Sequence, residues 1–318
     1  MEKNQEGFPL EFEHISVLLH ECVEGLNIRP GKIYMDLTAG GGGHSSAIAR
    51  ELTGGGRLIA VDKDPDAIRA AGEKLAPYPA AQVVQGDFGD FDRILDQLEI
   101  TAVDGVLMDL GVSSHQLDVA ERGFSYHQDA PLDMRMSQQG PGARELVNTA
   151  DVLELERILR EYGEEKFARR IAQRIVQHRG EQPIETTGEL VEIIKEAIPA
   201  PARRQGGHPA KRSFQAIRIA VNGELESLSC CLEQAFERLA PGGRLAVITF
   251  HSLEDRMVKQ RFAEYCRGCI CPPDFPICTC GKTPRAKLVQ RKPILPNEQE
   301  LEQNNRSRSA KLRILEKL

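Results

Sequence analysis

Apolar positions along this chain switch between a run of strand length and a helical stripe, and the switching recurs. Ile33-Tyr34-Met35-Asp36-Leu37 is short, apolar and closed by an acid, as a strand covered on both faces should be. Thr38 to Gly43 turn the chain, and His44-Ser45-Ser46 start a helix that runs through Ile48 to Leu52. Gly54-Gly55-Gly56 lead into a second strand, Arg57 to Asp62. Asp64-Pro65-Asp66 opens a helix with proline in its first turn and Ala67, Ile68, Ala71 and Leu75 as the buried stripe. Gln82 to Gln85 is a third strand, with Gly86-Asp87-Phe88 at its carboxyl end. A helix through Phe91, Ile94, Leu95 and Leu98 follows, then a fourth strand, Val103 to Leu110. Residues 14–27 read as a helix packed ahead of the first strand, before the Pro30-Gly31 turn.

This alternation predicts an α/β fold, a doubly wound and mostly parallel sheet. Ligands then bind beyond the carboxyl ends of the strands, an edge that gathers Asp36, Asp62, Asp87, Phe88 and Asp109. The next strand, Arg244 to Phe250, comes more than 130 residues later, after Pro241-Gly242-Gly243. That gap far exceeds a crossover, so something is inserted. Its middle is helical: Val152 to Tyr162, then Phe167, Ile171 and Ile175, then a capping box Thr186-x-x-Glu189 ahead of Leu190, Val191, Ile194 and Ile198. We expect an inserted helical domain at 117–207, a lid or substrate platform, with 1–116 and 208–318 forming the sheet domain. Ser213 to Leu239 reads as one long helical return. His251-Ser252-Leu253-Glu254-Asp255 opens a later helix with Ser252-x-x-Asp255 as its cap. Leu288-Val289-Gln290 and Ala310 to Leu315 read as two late strands, antiparallel at the sheet edge.

The net charge of −6 argues against a protein that coats nucleic acid by bulk electrostatics. Local charge differs. Ala200 to Ala220 carries Arg203, Arg204, Lys211, Arg212 and Arg218 without an acid. Further basic tracts run through Lys282, Arg285, Lys287, Arg291 and Lys292, and through Arg306, Arg308, Lys311 and Arg313. Each is either a solvated face or a phosphate-contacting surface. No basic stretch leads into an apolar one at the start, and no apolar run reaches a membrane-spanning length, so a cytoplasmic protein without a membrane partner is expected. Eight cysteines are then reduced or metal-bound.

The glycine loop after the first strand admits a ligand against bare backbone, and Asp62 lies where an acid can accept from ribose hydroxyls. A loop without a ligand is the bland alternative, which the acid disfavours. The dinucleotide fingerprint G-x-G-x-x-G fails because serine (Ser45 or Ser46) holds the third glycine position. Asp36-x-Thr38-x-Gly40-x-Gly42 instead resembles the first motif of S-adenosylmethionine-dependent methyltransferases. In such a site Phe88 would lie against the adenine and Asp87 could accept from its amine. The methyl acceptor would enter by Asp109-Leu110-Gly111-Val112-Ser113-Ser114, where the Pro-Pro-aromatic sequence of many amine methyltransferases is missing.

Longer strings make the resemblance specific. They are Thr38 to Ser45, Leu110-Gly111-Val112-Ser113-Ser114-x-Gln116-Leu117-Asp118, Glu121-Arg122-Gly123-Phe124-Ser125, Pro131 to Met136, Tyr162-Gly163-Glu164-Glu165 and Phe250 to Arg256. Together they resemble the bacterial 16S ribosomal RNA cytosine-N4 methyltransferases, the MraW or ribosomal RNA small subunit methyltransferase H family, over essentially the whole chain. The resemblance implies a Rossmann-like class I methyltransferase domain in two segments. It implies methyl transfer from S-adenosylmethionine to N4 of a decoding-centre (P-site) cytidine of 16S rRNA in the small subunit. It also implies that Gly42, Gly43, His44, Asp62, Phe88, Asp109 and Gln116 line the cofactor; Asp36 and Gly40 join them through the loop motif. We expect Asp109, or a carbonyl near it, to accept from the target amine, with Ser113, Ser114 and His251 on the rim, and the Arg203–Arg218 and Arg306–Arg313 segments to meet rRNA phosphate. A non-catalytic RNA-binding assembly factor on the same fold is the competing reading, and homo-oligomer formation is left open.

The cysteines form a separate feature. Cys266, Cys269, Cys271, Cys278 and Cys280 fall within 15 residues, and four of them could make a tetrahedral zinc site. Reduced, unliganded thiols are the alternative.

Overall fold

The computed structural model describes residues 16–204, 207–272, 277 and 279–318. Seven strands form one sheet: β1 Ile33–Asp36, β2 Arg57–Asp62, β3 Ala81–Gln85, β4 Val103–Asp109, β5 Leu239–Thr249, β6 Ala286–Leu288 and β7 Lys311–Lys317. Their order is β3-β2-β1-β4-β5-β7-β6. The first five are mutually parallel, and β7 runs antiparallel to both its neighbours. The continuous apolar runs have a simple cause. Met35, Ile59, Val61, Val106 and Met108 pack on the helices Phe91–Gln97, Glu224–Arg238 and Ser252–Cys266. Tyr34, Leu58, Ala60 and Leu107, one residue out of phase, pack on Leu19–Leu26, Gly43–Glu51 and Pro65–Leu75. Gly105 is needed in β4, since a Cβ there would come 2.6 Å from the Tyr34 ring.

The insertion has its own core. Val147, Leu155, Ile158, Ile171, Ile175, Leu190 and Ile194 meet inside a helical bundle, and the expected Thr186–Glu189 capping box starts Thr187–Ala197. Several expectations change. The stretch from Ser213 to Leu239 is two helices, Lys211–Asn222 and Glu224–Arg238, broken at Gly223 with φ of +60°. Ala210, Phe214, Ala216 and Ile217 join the bundle core, so the insertion extends past 207 and the return to the sheet begins at Glu224. An additional helix, Ala143–Thr149, is too short and its apolar positions too few to show a period. The helix after β5 is capped by His251 and not by Ser252, with Glu254 completing the capping box. The helix expected over 14–27 spans Leu19–Leu26; residues 14 and 15 lie outside the described residues.

Ion pairs and hydrogen bonds hold the bundle against the sheet edge. The Arg122 guanidinium, largely buried, lies 2.8 Å from Asp64 and 3.2 Å from Asp66 at the end of β2 and donates to the carbonyls of Arg135 and Met136. Glu164 accepts from Ser252 Oγ and Arg256, both at 2.8 Å. Lys63 donates to the Asn222 carbonyl.

Candidate active site

A cleft opens at the carboxyl ends of β1, β2 and β4. Its floor is built from the Asp36 carboxylate, fully buried, which accepts from Thr38 N at 3.2 Å and Ser45 Oγ at 2.6 Å. Thr38 Oγ1 in turn accepts from Asp109 N at 2.6 Å, locking the glycine loop to the end of β4. Asp62 takes one backbone N–H on each oxygen, Gly40 on Oδ2 and Asp64 on Oδ1, both at 2.9 Å. Burial outweighs those two bonds and lifts its carboxyl from 3.8 to about 6.

Gly40, Gly43, His44, Asp62, Phe88, Asp109, Ser113, Ser114 and Gln116 all line this cleft. Asp36, Gly42 and His251 do not, and each has another task. Asp36 braces the loop from beneath. Gly42, at φ +76°, lets the loop pass helix Pro65–Leu75, where a Cβ would sit 3.3 Å from Ala71 Cα. His251 is the helix cap, with Nε2 3.1 Å from Glu254 Oε1. Asp87 also stands back, engaged by Lys63 Nζ at 3.1 Å and Gly89 N at 2.8 Å.

His44 is buried, and its Nε2 lies 3.0 Å from the Val17 carbonyl. A carbonyl only accepts, so Nε2 carries the proton and Nδ1 turns towards Asp109 Oδ2 at 3.7 Å. Asp109 Oδ1 is buried and has no hydrogen-bond partner among the described residues. Burial first, then the charges of Asp36, Glu254 and Glu300, push the Asp109 carboxyl well above its ordinary value. Gln116 and Ser113 form a capping box for Ser114–Asp118, and Gln116 Nε2 donates to Asp64 at 2.8 Å. One glutamine thus joins the acceptor-side loop to the acid that caps helix Pro65–Leu75.

The far wall escaped the sequence reading. Glu254 is buried in the cleft. Burial raises its carboxyl, but the His251 bond and charge, the Phe250 amide and Arg218 together hold it below the usual range. Glu224, also in the wall, is gripped by Arg218 through two bonds of 2.8 and 2.9 Å. Asn304 and Arg306 close one side. The H-x-x-E capping pattern was the signal for Glu254; Arg218 and Glu224, six apart across a glycine break, left none.

The basic tracts separate into two kinds. Arg218 is spent on Glu224, Lys311 and Arg313 both pair with Asp255, Lys287 with Glu316 and Arg285 with Glu237. Each of these cations has a carboxylate partner. Arg203, Arg204 and Lys211 are exposed and have no ion-pair partner among the described residues. Of the five clustered cysteines, Cys269, Cys271 and Cys280 come together. Cys266 instead packs against the core beneath the sheet, and Cys278 lies outside the described residues.

One reversed strand next to the edge distinguishes this sheet from the wholly parallel sheets of dinucleotide-dependent oxidoreductases. With a loop acid at Asp62 and no third glycine, fold and cleft together define a class I S-adenosylmethionine-dependent methyltransferase. Residues 11–318 match the family described as the MraW methylase family, and the chain belongs to it. It is similar to curated relatives named ribosomal RNA small subunit methyltransferase H. That of Brevibacillus brevis is 59% identical over 311 residues, covering 97% of this chain and 99% of the relative. That of Symbiobacterium thermophilum is 58% identical over 311 residues, covering 97% and 98%.

Proposed function

We propose that this protein methylates N4 of a decoding-centre, P-site cytidine in the 16S rRNA of the small ribosomal subunit. The name carried by its relatives supports the substrate class, and one observation in the cleft supports the chemistry: Asp109 Oδ1, buried at the end of β4 and without a hydrogen-bond partner among the described residues. A buried acceptor of this kind is costly unless a ligand supplies a donor. An exocyclic amine is such a donor. Its lone pair is delocalised into the ring, so accepting its N–H hydrogen bond raises its nucleophilicity, and fixed placement lowers the barrier further.

The residues fit S-adenosylmethionine, which when bound supplies an electrophilic methyl group. Asp62 would hold the ribose diol, the bare backbone at Gly40 and Gly41 the methionine portion, and Phe88 the adenine face. The His44 ring, held through Nε2 on the Val17 carbonyl, would pack beside Asp109 and bound that side of the cleft. Ser113 and Ser114 stand at the acceptor mouth, while His251 acts through Glu254. A cytidine reaches such a cleft only when unstacked, which suits a single-stranded segment held against the helical insertion. Arg203, Arg204 and Lys211 on that insertion are the cations available to its phosphates.

The test is methyl transfer from labelled S-adenosylmethionine to small subunits lacking the modification, with the product nucleoside identified by mass spectrometry. N4-methylcytidine is expected. Cofactor binding without transfer would favour an assembly factor, and methylation at another atom would refute the proposed target.

A further inference from the structure

Outside the cleft, the most organised polar feature belongs to the segment 267–285, between helix Ser252–Cys266 and β6. Among its described residues none is buried, and Ile270 and Ile277 are 51% and 74% exposed. Among the described residues, then, no buried apolar side chain accounts for the path of this loop, whose closure costs entropy like any other. What converges there is sulfur.

The Sγ atoms of Cys269, Cys271 and Cys280 lie within 4.8 Å of one another, and the Cys269–Cys280 separation is 3.7 Å. Zinc held by thiolates at about 2.3 Å in a tetrahedron places its sulfurs about 3.8 Å apart. Each sulfur also receives one backbone N–H at 3.4 Å. Ile270 N donates to Cys280, Cys271 N to Cys269, and Thr279 N to Cys271. Thiols are weak acceptors, so three amides aimed at three sulfurs suit anionic sulfur. Such outer bonds orient the ligands of metal-binding turns.

We infer that Cys269, Cys271 and Cys280 bind one zinc ion, and that this ion organises the loop between the last long helix and β6. Zinc is the choice because three thiolates with no histidine or carboxylate in the set favour a thiophilic ion without geometric demands of its own. The fourth position is open to water or to Cys278, which lies outside the described residues; the inference rests on the three sulfurs alone. The site lines no part of the methyl-transfer cleft, so its role is structural and independent of the proposed substrate.

The full chain, purified under reducing conditions and dialysed against metal-free buffer, should carry about one zinc per chain by elemental analysis. Cys269→Ser and Cys280→Ser should each lose most of it, while Cys230→Ser, at an exposed thiol outside the cluster, should keep it. Cobalt(II) added to stripped wild-type protein should give the visible bands of a tetrahedral thiolate complex, and the two cluster variants should not. Far-ultraviolet circular dichroism and S-adenosylhomocysteine affinity unchanged in the variants show that the fold survives. A wild-type chain without zinc and without the cobalt spectrum overturns the inference, as does zinc retained by both variants or iron found in its place.

Discussion

Replacing Asp62 with asparagine isolates the anchor of the cleft. Both carboxylate oxygens already accept a backbone N–H, from Gly40 and Asp64, and under the proposed binding both also accept from ribose. Asparagine keeps one acceptor and turns an amide towards one of those N–H groups. Hydrogen bonds to a charged acceptor contribute about 1.5–3 kcal/mol each. Loss of one with partial loss of the other weakens S-adenosylhomocysteine by about 2–4 kcal/mol, roughly 30- to 1000-fold. The proton gives a second, sharper signature. With a carboxyl at about 6 in the free protein, about one molecule in eleven is ionised at pH 5, so wild-type affinity should fall about tenfold between pH 7.5 and pH 5. The asparagine variant has no such proton and should be flat by comparison. Stability moves the other way. A carboxyl raised in the fold from 3.8 to about 6 favours the folded state when protonated and costs it up to about 3 kcal/mol once pH has risen through that window. The variant should therefore melt no lower than wild type at pH 8, which separates lost binding from lost folding. Isothermal titration with S-adenosylhomocysteine at pH 5, 6 and 7.5 reads all of this. A flat wild-type profile, or a variant of wild-type affinity, would refute the ribose assignment.

Asp109→Asn should leave cofactor binding in place and slow methyl transfer about 100- to 10,000-fold; full turnover would remove Asp109 from the chemistry. Because burial and neighbouring acids hold the Asp109 carboxyl high, the cationic sulfonium of S-adenosylmethionine should favour its ionised form. Its affinity should then rise with pH more steeply than that of the neutral thioether product, and parallel pH profiles would show that Asp109 does not sense the charge. Reversing Arg203, Arg204 and Lys211 to glutamate should weaken binding to the small subunit and flatten its salt dependence, by about 0.7–0.9 in slope for each phosphate no longer neutralised. Cofactor titration of the same variant should be unaltered, and unaltered subunit binding would return these cations to the solvent. Gly123→Ala places a Cβ 2.4 Å from the Pro131 carbonyl at a φ of +70° and should cost about 1–3 kcal/mol in chemical denaturation; a neutral result would mean that the 131–134 turn yields freely.

Much of this protein was legible along the chain because its signals are local. Strand runs covered on both faces, the glycine loop, an acid closing β2 and a capping box at Thr186 depend on neighbours a few residues away. Backbone period and side-chain type set these without reference to the rest of the molecule. The insertion showed itself for a similar reason, as a helical period interrupting the alternation of strands and helices. Contacts between distant segments were not legible. The facing of His44 and Asp109, and the pairing of Gln116 with Asp64 and of Arg122 with Asp64 and Asp66, join positions 52 to 65 residues apart whose register follows from how helices and strands pack. The same holds for Lys211–Asn222, whose amphipathic stripe suited either the sheet or the bundle until the turn at Gly223 gave it to the bundle. Five cysteines offered several ligand sets of equal merit by spacing. Among the described residues, only the fold of the loop brings Cys269, Cys271 and Cys280 together and packs Cys266 against the core.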